Sequence, residues 1–385
     1  MLWLNFLHFY QPPTASDEQI RDIVKSCYQS WADFLLINKK VKVTVNLTAC
    51  LTERLFQLGY QKLLNQFACL AERQQIEFVE SAAFHPILPL LPDQEIIKQI
   101  KINHDINSRH LGPAYQPRGF FPPEMAYSQK LAVILGRLKY QYLILDQIAL
   151  DGTLKTAIDP SVKYKIKKTK LTVVFRDRRL SQTFVPEKIQ ELFSGNYHNN
   201  QILITATDGE LYGHRHWNWW SGYQEIIKNK QVQTATLGEY LKNIKKTQEV
   251  SPRPSSWESS PSELRASHPF ALWLSPNNQI QKQLWQLANF ALELNYQYKK
   301  DPNHFASRLH LERGLASCTF WWASGRDFAL FDSPAWNPGE IEKGARELIF
   351  SIRSLASVSA KTKIKAELAF SALQKNIWLT HWRAN

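Results

Sequence analysis

At 385 residues the chain is too long for one small domain and suits a barrel-sized domain plus an appendage; 44% hydrophobic and 21% charged residues are the balance of a soluble globular protein with a sizeable core. A net charge of +13 would suit nucleic acid or an anionic surface. However, the densest lysine group (Lys163, Lys165, Lys167, Lys168, Lys170) largely alternates with Tyr164 and Ile166. It reads as the solvated face of an edge strand, so no nucleic-acid partner is expected. The scattered Cys27, Cys50, Cys69 and Cys318 show no CxxC pair and no metal-ligand spacing. They fit free thiols in a reducing compartment, hence a cytoplasmic expectation. No apolar run approaches a membrane span, and residues 1–10 lack the pattern of a signal peptide.

In chain order, Met1 to His8 is an apolar run that predicts a first strand, leaving through Phe9-Tyr10-Gln11-Pro12-Pro13. Asp17 to Leu36 has helical spacing. Val41 to Leu47 alternates as a second strand, and Leu51 to Arg73 reads as helix. Ile76 to Val79 predicts a third strand that exits through Glu80-Ser81-Ala82-Ala83-Phe84-His85-Pro86. A helix from Asp93 to Arg109 follows. Gly119 to Phe121, Tyr140 to Leu145, Leu171 to Phe175 and the run from Ile202 are further strands. Residues 150–200 look like an irregular insertion with a lysine-rich hairpin. Strands that alternate with helices and end in polar residues predict a parallel α/β barrel or sheet over 1–245. After the Ser-Pro-rich stretch around Trp257, the faces Ile280, Leu284, Leu287, Ala291, Leu294 and Ile341, Ala345, Leu348, Ile352, Leu355 predict a helical domain, 246–385. That domain is expected to contribute to the active-site cleft.

Two stretches concentrate chemistry. In 201–217 a short strand breaks at Asp208-Gly209 into Glu210, Tyr212, His214, His216 and Trp217. Strand ends packed with titratable groups are where α/β barrels build active sites. In Gly119-Phe-Phe-Pro-Pro-Glu124 one carboxyl stands among apolar residues, costly unless it is paired or used. Tryptophans in polar surroundings (Trp217, Trp219, Trp220, Trp257, Trp321, Trp322) exceed what a core needs and suit the flat faces of sugar rings.

Taken together the motifs resemble the family 57 glycoside hydrolases. Leu7-His8-Phe9-Tyr10-Gln11-Pro12 resembles the first motif, with Tyr10 in place of a second histidine. Glu77-Phe-Val-Glu80-Ser-Ala-Ala-Phe-His85-Pro resembles the second, with Glu80 where a glycine is usual. Gly119-Phe-Phe-Pro-Pro-Glu124 resembles the third and Asp208-Gly-Glu210-Leu-Tyr-Gly-His214 the fourth. Leu315-Ala-Ser317-Cys318-Thr-Phe-Trp321-Trp322 looks like a divergent fifth. The resemblance implies an incomplete (β/α)7-type barrel with a C-terminal helical domain. It also implies a retaining hydrolase or transglycosylase acting on α-linked glucan or malto-oligosaccharide, and no metal or organic cofactor. It assigns Glu124 as nucleophile and Asp208 as general acid/base, the two carboxyls that retention needs.

For the other polar positions two readings stay open. His8 and Gln11 in the first motif are candidates for sugar contact, and His8 could instead cap a core. Glu77 is a structural acid or a ligand. His85 fixes a loop or touches sugar. His214 touches substrate or orients a carboxylate, with His216 behind it. Trp257, Trp321 and Trp322 pack between domains or stack on sugar, and Asp146 is a helix cap or a site residue. A non-catalytic glycan-binding homologue is the main alternative. A metal-dependent carbohydrate deacetylase is a weaker one, because no histidine has another at i+3 or i+4.

Overall fold

In the computed structural model the strand β1 (Leu2–Phe9) is buried along nearly its whole length, as its apolar run predicts. It lies between β2 (Val43–Leu47) and β8 (Ile202–Asp208), parallel to both, and β3 (Ile76–Val79) pairs parallel with β2. A second parallel set runs β4 (Gly119–Phe120), β5 (Tyr142–Asp146), β7 (Thr172–Arg176). A single parallel bridge, Glu80 to Phe120, joins β3 to β4. β7 approaches β8 without a strand ladder: the Asp177 N–H just past β7 donates to the Ile204 carbonyl at 2.8 Å, and Arg176 Nη1 donates to the Ala206 carbonyl at 2.8 Å. These strands therefore make the expected incomplete seven-stranded barrel. The structure describes residues 1–194, 201–216, 219–325, 327–328, 333–334 and 336–384. Trp217 lies outside them, as do the side chains of Trp219 and Trp220.

Alternation decides what faces inward. Leu4, Phe6, Val79, Ile144, Val174, Ile204 and Ala206 fill the interior together with Phe121 and Trp257. The opposite parity (Trp3, Leu7, Phe9, Val43, Val45, Ile76, Phe78) packs against Trp31, Phe34, Leu63 and Phe67 of the surrounding helices. Carried to the carboxyl ends of the strands, the inward parity arrives at His8, Asn46, Asp146, Arg176 and Asp208. Helix starts carry the caps their sequences announce: Ser16 and Thr236 each form a capping box, with Gln19 and Glu239.

One expectation needs correcting. β6 (Val162–Ile166), the lysine-rich strand, is not an edge: it runs antiparallel to β7 and parallel to β10 (Lys246–Val250). The residues Lys246–Glu249 of β10 are the exposed ones. The barrel unit takes Met1–Gln11, Ala15–Ala83 and Leu88–Pro261, because 246–250 completes its sheet and Trp257 enters its core.

The second unit takes Pro12–Thr14, Phe84–Ile87 and Ser262–Asn385. Its helices include Gln279–Gln297, His304–Gly314, Pro338–Ser354 and Ala360–Ala384. Both predicted apolar faces are buried in it. Among the described residues no helix is long and apolar enough to cross a membrane.

Candidate active site

The loop after β4 holds Glu124 in an uncommon conformation. Glu124 has φ 59° and ψ 17°, and Met125 follows with φ 49°. Left-handed backbone at non-glycine residues costs on the order of 1–2 kcal/mol each and persists only where the surroundings hold it. Here Pro122 and Pro123 restrict the approach, and the Tyr127 N–H donates to the Ser255 carbonyl at 2.8 Å. The result turns a half-buried carboxyl onto Trp257. The Trp257 backbone N–H donates to the Glu124 carbonyl at 3.0 Å, and its indole Nε1–H donates to Glu124 Oε2 at 2.8 Å.

Asp208 ends β8 directly beside His8 on β1. Gly209, which follows, is required by close approach: a Cβ there would stand 2.0 Å from the Phe9 ring. The next residue, Glu210, is buried. It accepts from Tyr28 OH, from Gln11 Nε2 at 3.2 Å and from the Tyr10 N–H at 3.3 Å. Burial, then the neighbouring Asp208 charge, push its carboxyl up to about 7. Tyr28 reaches it from a π-helical turn, Val24–Tyr28, that interrupts the predicted helix. From the same turn Cys27 Sγ–H donates to the Gly209 carbonyl at 3.2 Å.

His8 links the two acids' surroundings. Its Nδ1 lies 2.8 Å from Asn46 Oδ1. Its ring lies 4.6 Å from that of Phe121, 6.3 Å from that of Trp257, and stacks on Tyr10 at 5.8 Å. Burial lowers it to about 4 against the upward pull of Asp208, so it is neutral at pH 7.

Behind Trp257 stands a buried ionic group. Asp146 caps the Ile148 N–H at 2.9 Å, as a strand-end aspartate can, but it also accepts from Arg176 Nε at 2.6 Å and Arg178 Nε at 2.7 Å. The Arg176 guanidinium lies 5.0 Å from the centre of the Trp257 ring. Glu258 is raised by burial and by the Asp146 and Asp208 charges, and held down by Arg176 and Arg178. Arg215 also feels the charges of Asp208 and Glu210.

The structure thus brings together Glu124, Asp208, His8, Gln11 and Trp257 of the expected residues. Glu77 takes its structural reading instead. It sits near the start of β3, accepting from the Gly238 N–H at 2.7 Å, Tyr142 OH at 2.9 Å and Thr44 Oγ1 at 3.4 Å. It borders a cavity of about 670 Å³ whose walls, among them Ile76, Arg118, Tyr142 and Thr172, come from strand beginnings. His214 and His216 are exposed; the first lies 3.5 Å from Ser26 Oγ, the second stacks on Phe184. His85, Trp321 and Trp322 belong to the second unit. There His85 Nδ1 meets Ser317 Oγ at 2.9 Å, the Ser317 N–H donates to the His85 carbonyl, and the two tryptophan rings touch edge-on at 4.3 Å. The second and fifth motifs are therefore joined physically.

The departures from the motifs have local reasons. Glu80 is fully buried, yet it accepts from Asn103 Nδ2, Tyr115 OH (2.8 Å) and His104 Nδ1 (3.0 Å), which a glycine would leave without that partner. Tyr10 covers His8. Sequence reasoning left out Tyr28, Glu210, Arg176, Arg178 and Glu258 as site residues. Glu210 and the Arg-Asp-Arg at the end of β7 carried a signal, being charged residues at strand ends; Tyr28 carried none. Among the described residues no three His, Cys, Asp or Glu side chains stand together as a metal site.

Alpha-amylase 1 of Dictyoglomus thermophilum is 25% identical over 141 residues, covering 36% of this chain and 20% of that protein. The matched stretch is about a fifth of the length of the curated relatives. The 4-alpha-glucanotransferase of Thermococcus litoralis has a similar fold, with a TM-score of 0.72 at 16% identity over 92% of this chain and 58% of that one. An alpha-amylase of Thermotoga maritima superposes with a TM-score of 0.67 at 13% identity, over 96% of each chain. The model of the family described as glycosyl hydrolase family 57 matches residues 5–252, which take in Glu124 and Asp208 and end just before the Trp257 loop, and the chain belongs to that family.

Proposed function

We propose that the protein is a retaining glycosidase or transglycosylase acting on α-linked glucan by double displacement. Glu124 attacks the anomeric carbon, and Asp208 protonates the leaving oxygen and then activates the acceptor. The observation that carries this reading is the indole hydrogen bond on Glu124. A donor aimed at a half-buried carboxyl favours its ionised form, which is the form a nucleophile needs. Asp208 lies across His8 from that pair, with Glu210 and Glu258 as its acidic neighbours. Retention requires one carboxyl that attacks and a second that gives and takes the proton. The similarity to amylases and a glucanotransferase supports an α-glucan as substrate. Water as acceptor gives hydrolysis, and a sugar hydroxyl gives transfer or branching.

Incubation with maltoheptaose and with amylose, followed by product sizing and by proton NMR of the first-formed anomer, tests the reading. Products of altered length with α configuration are expected. β-anomer products would remove the double displacement. Binding without any product would favour a glycan-binding protein.

A further inference from the structure

The guanidinium of Arg178 does more than neutralise Asp146. From the short helix Arg178–Ser181 it reaches a loop some eighty residues away in sequence: Nη1 donates to the Ser259 carbonyl at 2.8 Å, and Nη2 to the Trp257 carbonyl at 2.6 Å and the Ser256 carbonyl at 3.5 Å. Its Nε stays on Asp146 at 2.7 Å, and the side chain is almost wholly buried. Three donors on one rigid plane are thus spent on the loop that carries Trp257. The Glu124 segment holds the same loop from its other side, the Trp257 N–H donating to the Glu124 carbonyl at 3.0 Å and the Tyr127 N–H to the Ser255 carbonyl at 2.8 Å. Within it, the Ser256 N–H donates to Ser259 Oγ, and beyond it the Trp257 indole faces Glu124.

We propose that Arg178 is a positioning residue for the nucleophile: by gripping the Ser256–Ser259 loop it keeps the Trp257 indole N–H on Glu124. The proposal deepens the reading above and rests on it for the role of Glu124. Asp146 aims the guanidinium, and Arg176 backs the indole face. A lysine at 178 would keep a charge beside Asp146 but could not hold Asp146 and two carbonyls at once. The indole would then drift. A misplacement of this kind costs roughly ten- to a hundred-fold in rate. Losing the donor should also make Glu124 easier to protonate.

The test compares Arg178→Lys with Trp257→Phe and the double variant, each normalised to folded protein by far-UV circular dichroism. With maltoheptaose, Arg178→Lys should lower kcat about ten- to a hundred-fold with little change in KM. It should also shift the acid limb of the kcat/KM profile upward, in the direction of Trp257→Phe. The double variant should shift that limb no further than Trp257→Phe alone, since both act on one hydrogen bond. A purely structural arginine would lower the folded fraction and leave the acid limb in place.

A second readout needs no turnover. In 15N-tryptophan-labelled protein the Trp257 indole N–H resonance, identified by its loss in Trp257→Phe, should titrate with a carboxyl that disappears in Glu124→Gln. In Arg178→Lys the resonance should move and lose that titration. If the wild type turns over no α-glucan, the proposed activity fails while this measurement still decides the role of Arg178. Asp146→Asn keeps the shape and removes the charge that aims both arginines, so it should give the same shifts, smaller. A folded Arg178→Lys or Asp146→Asn with the wild-type acid limb and the wild-type indole titration overturns the proposal.

Discussion

The two ends of the barrel interior handle buried carboxyls in opposite ways. At the strand beginnings Glu77 is raised by burial, but a backbone N–H and two hydroxyls converge on it. Gly238 leaves it room: a Cβ there would stand 2.3 Å from Glu77 Oε1. At the carboxyl ends Glu210 is raised by burial and then by the Asp208 charge, and Glu258 by burial and by the Asp146 and Asp208 charges. An acid surrounded by donors is a structural pin. Acids that a neighbouring carboxylate raises, as well as burial, are suited to proton transfer. The barrel's polarity is thus written in how its carboxyls are partnered.

The largest test of this contrast is catalytic. Glu124→Gln and Asp208→Asn should each lower kcat by about a thousand-fold or more while leaving the urea midpoint nearly unchanged. Either variant retaining a tenth of the wild-type rate would remove that residue from its role.

Next comes stability against pH, where Glu210 and His8 pull in opposite directions. The Glu210 carboxyl sits at about 7 in the folded chain against an ordinary 4.5, so the unfolded chain loses its proton first. Its contribution is neutral below 4.5 and becomes destabilising as pH rises to 7, by up to about 3 kcal/mol. His8 sits at about 4 against an ordinary 6.5, so the unfolded chain gains its proton first as pH falls. Its burial destabilises progressively from pH 6.5 down to 4, by a similar amount. Between roughly pH 4.5 and 6.5 the two slopes offset each other in the wild type. Glu210→Gln should therefore show stability that climbs with pH in this window, and His8→Gln stability that falls. Urea midpoints at half-unit pH steps check this, and parallel profiles for the two variants would contradict it.

The smallest effect belongs to the other end. Glu77→Gln should cost about 1–3 kcal/mol of stability, since it places an amide where only donors converge. Its kcat per folded molecule should stay within about three-fold of wild type, unlike that of any acid at the carboxyl ends. A loss of rate at unchanged stability would return Glu77 to the substrate site.

Much of this was legible in advance. The buried strands β1 and β8 could be read from the apolar runs at 1–8 and from Ile202, and the strand-end acids Glu124 and Asp208 from their motifs. What escaped was set by distance in sequence or by direction along a short strand. β3 has four residues, so nothing in its text shows that Glu77 meets Thr44 and Tyr142 at one end while Glu80 leaves at the other. The lysines of β6 looked like an edge because the covering strand, 246–250, is polar and carries no apolar run of its own. Tyr28 meets Glu210 only because a helix admits one π-turn, and Arg178 finds the Trp257 loop across 79 positions. These are contacts that periodicity does not encode.

The left-handed backbone at Glu124 has a consequence for how the gene is maintained. Asparagine tolerates that conformation better than glutamate does. Glu124→Asn should therefore raise the urea midpoint, by up to about 1 kcal/mol in stability, in a protein that no longer turns over. Folding alone would drift away from glutamate at this position. With Glu124 as the proposed nucleophile, activity alone would hold the glutamate there, and a copy of the gene released from that constraint would gain robustness by losing it.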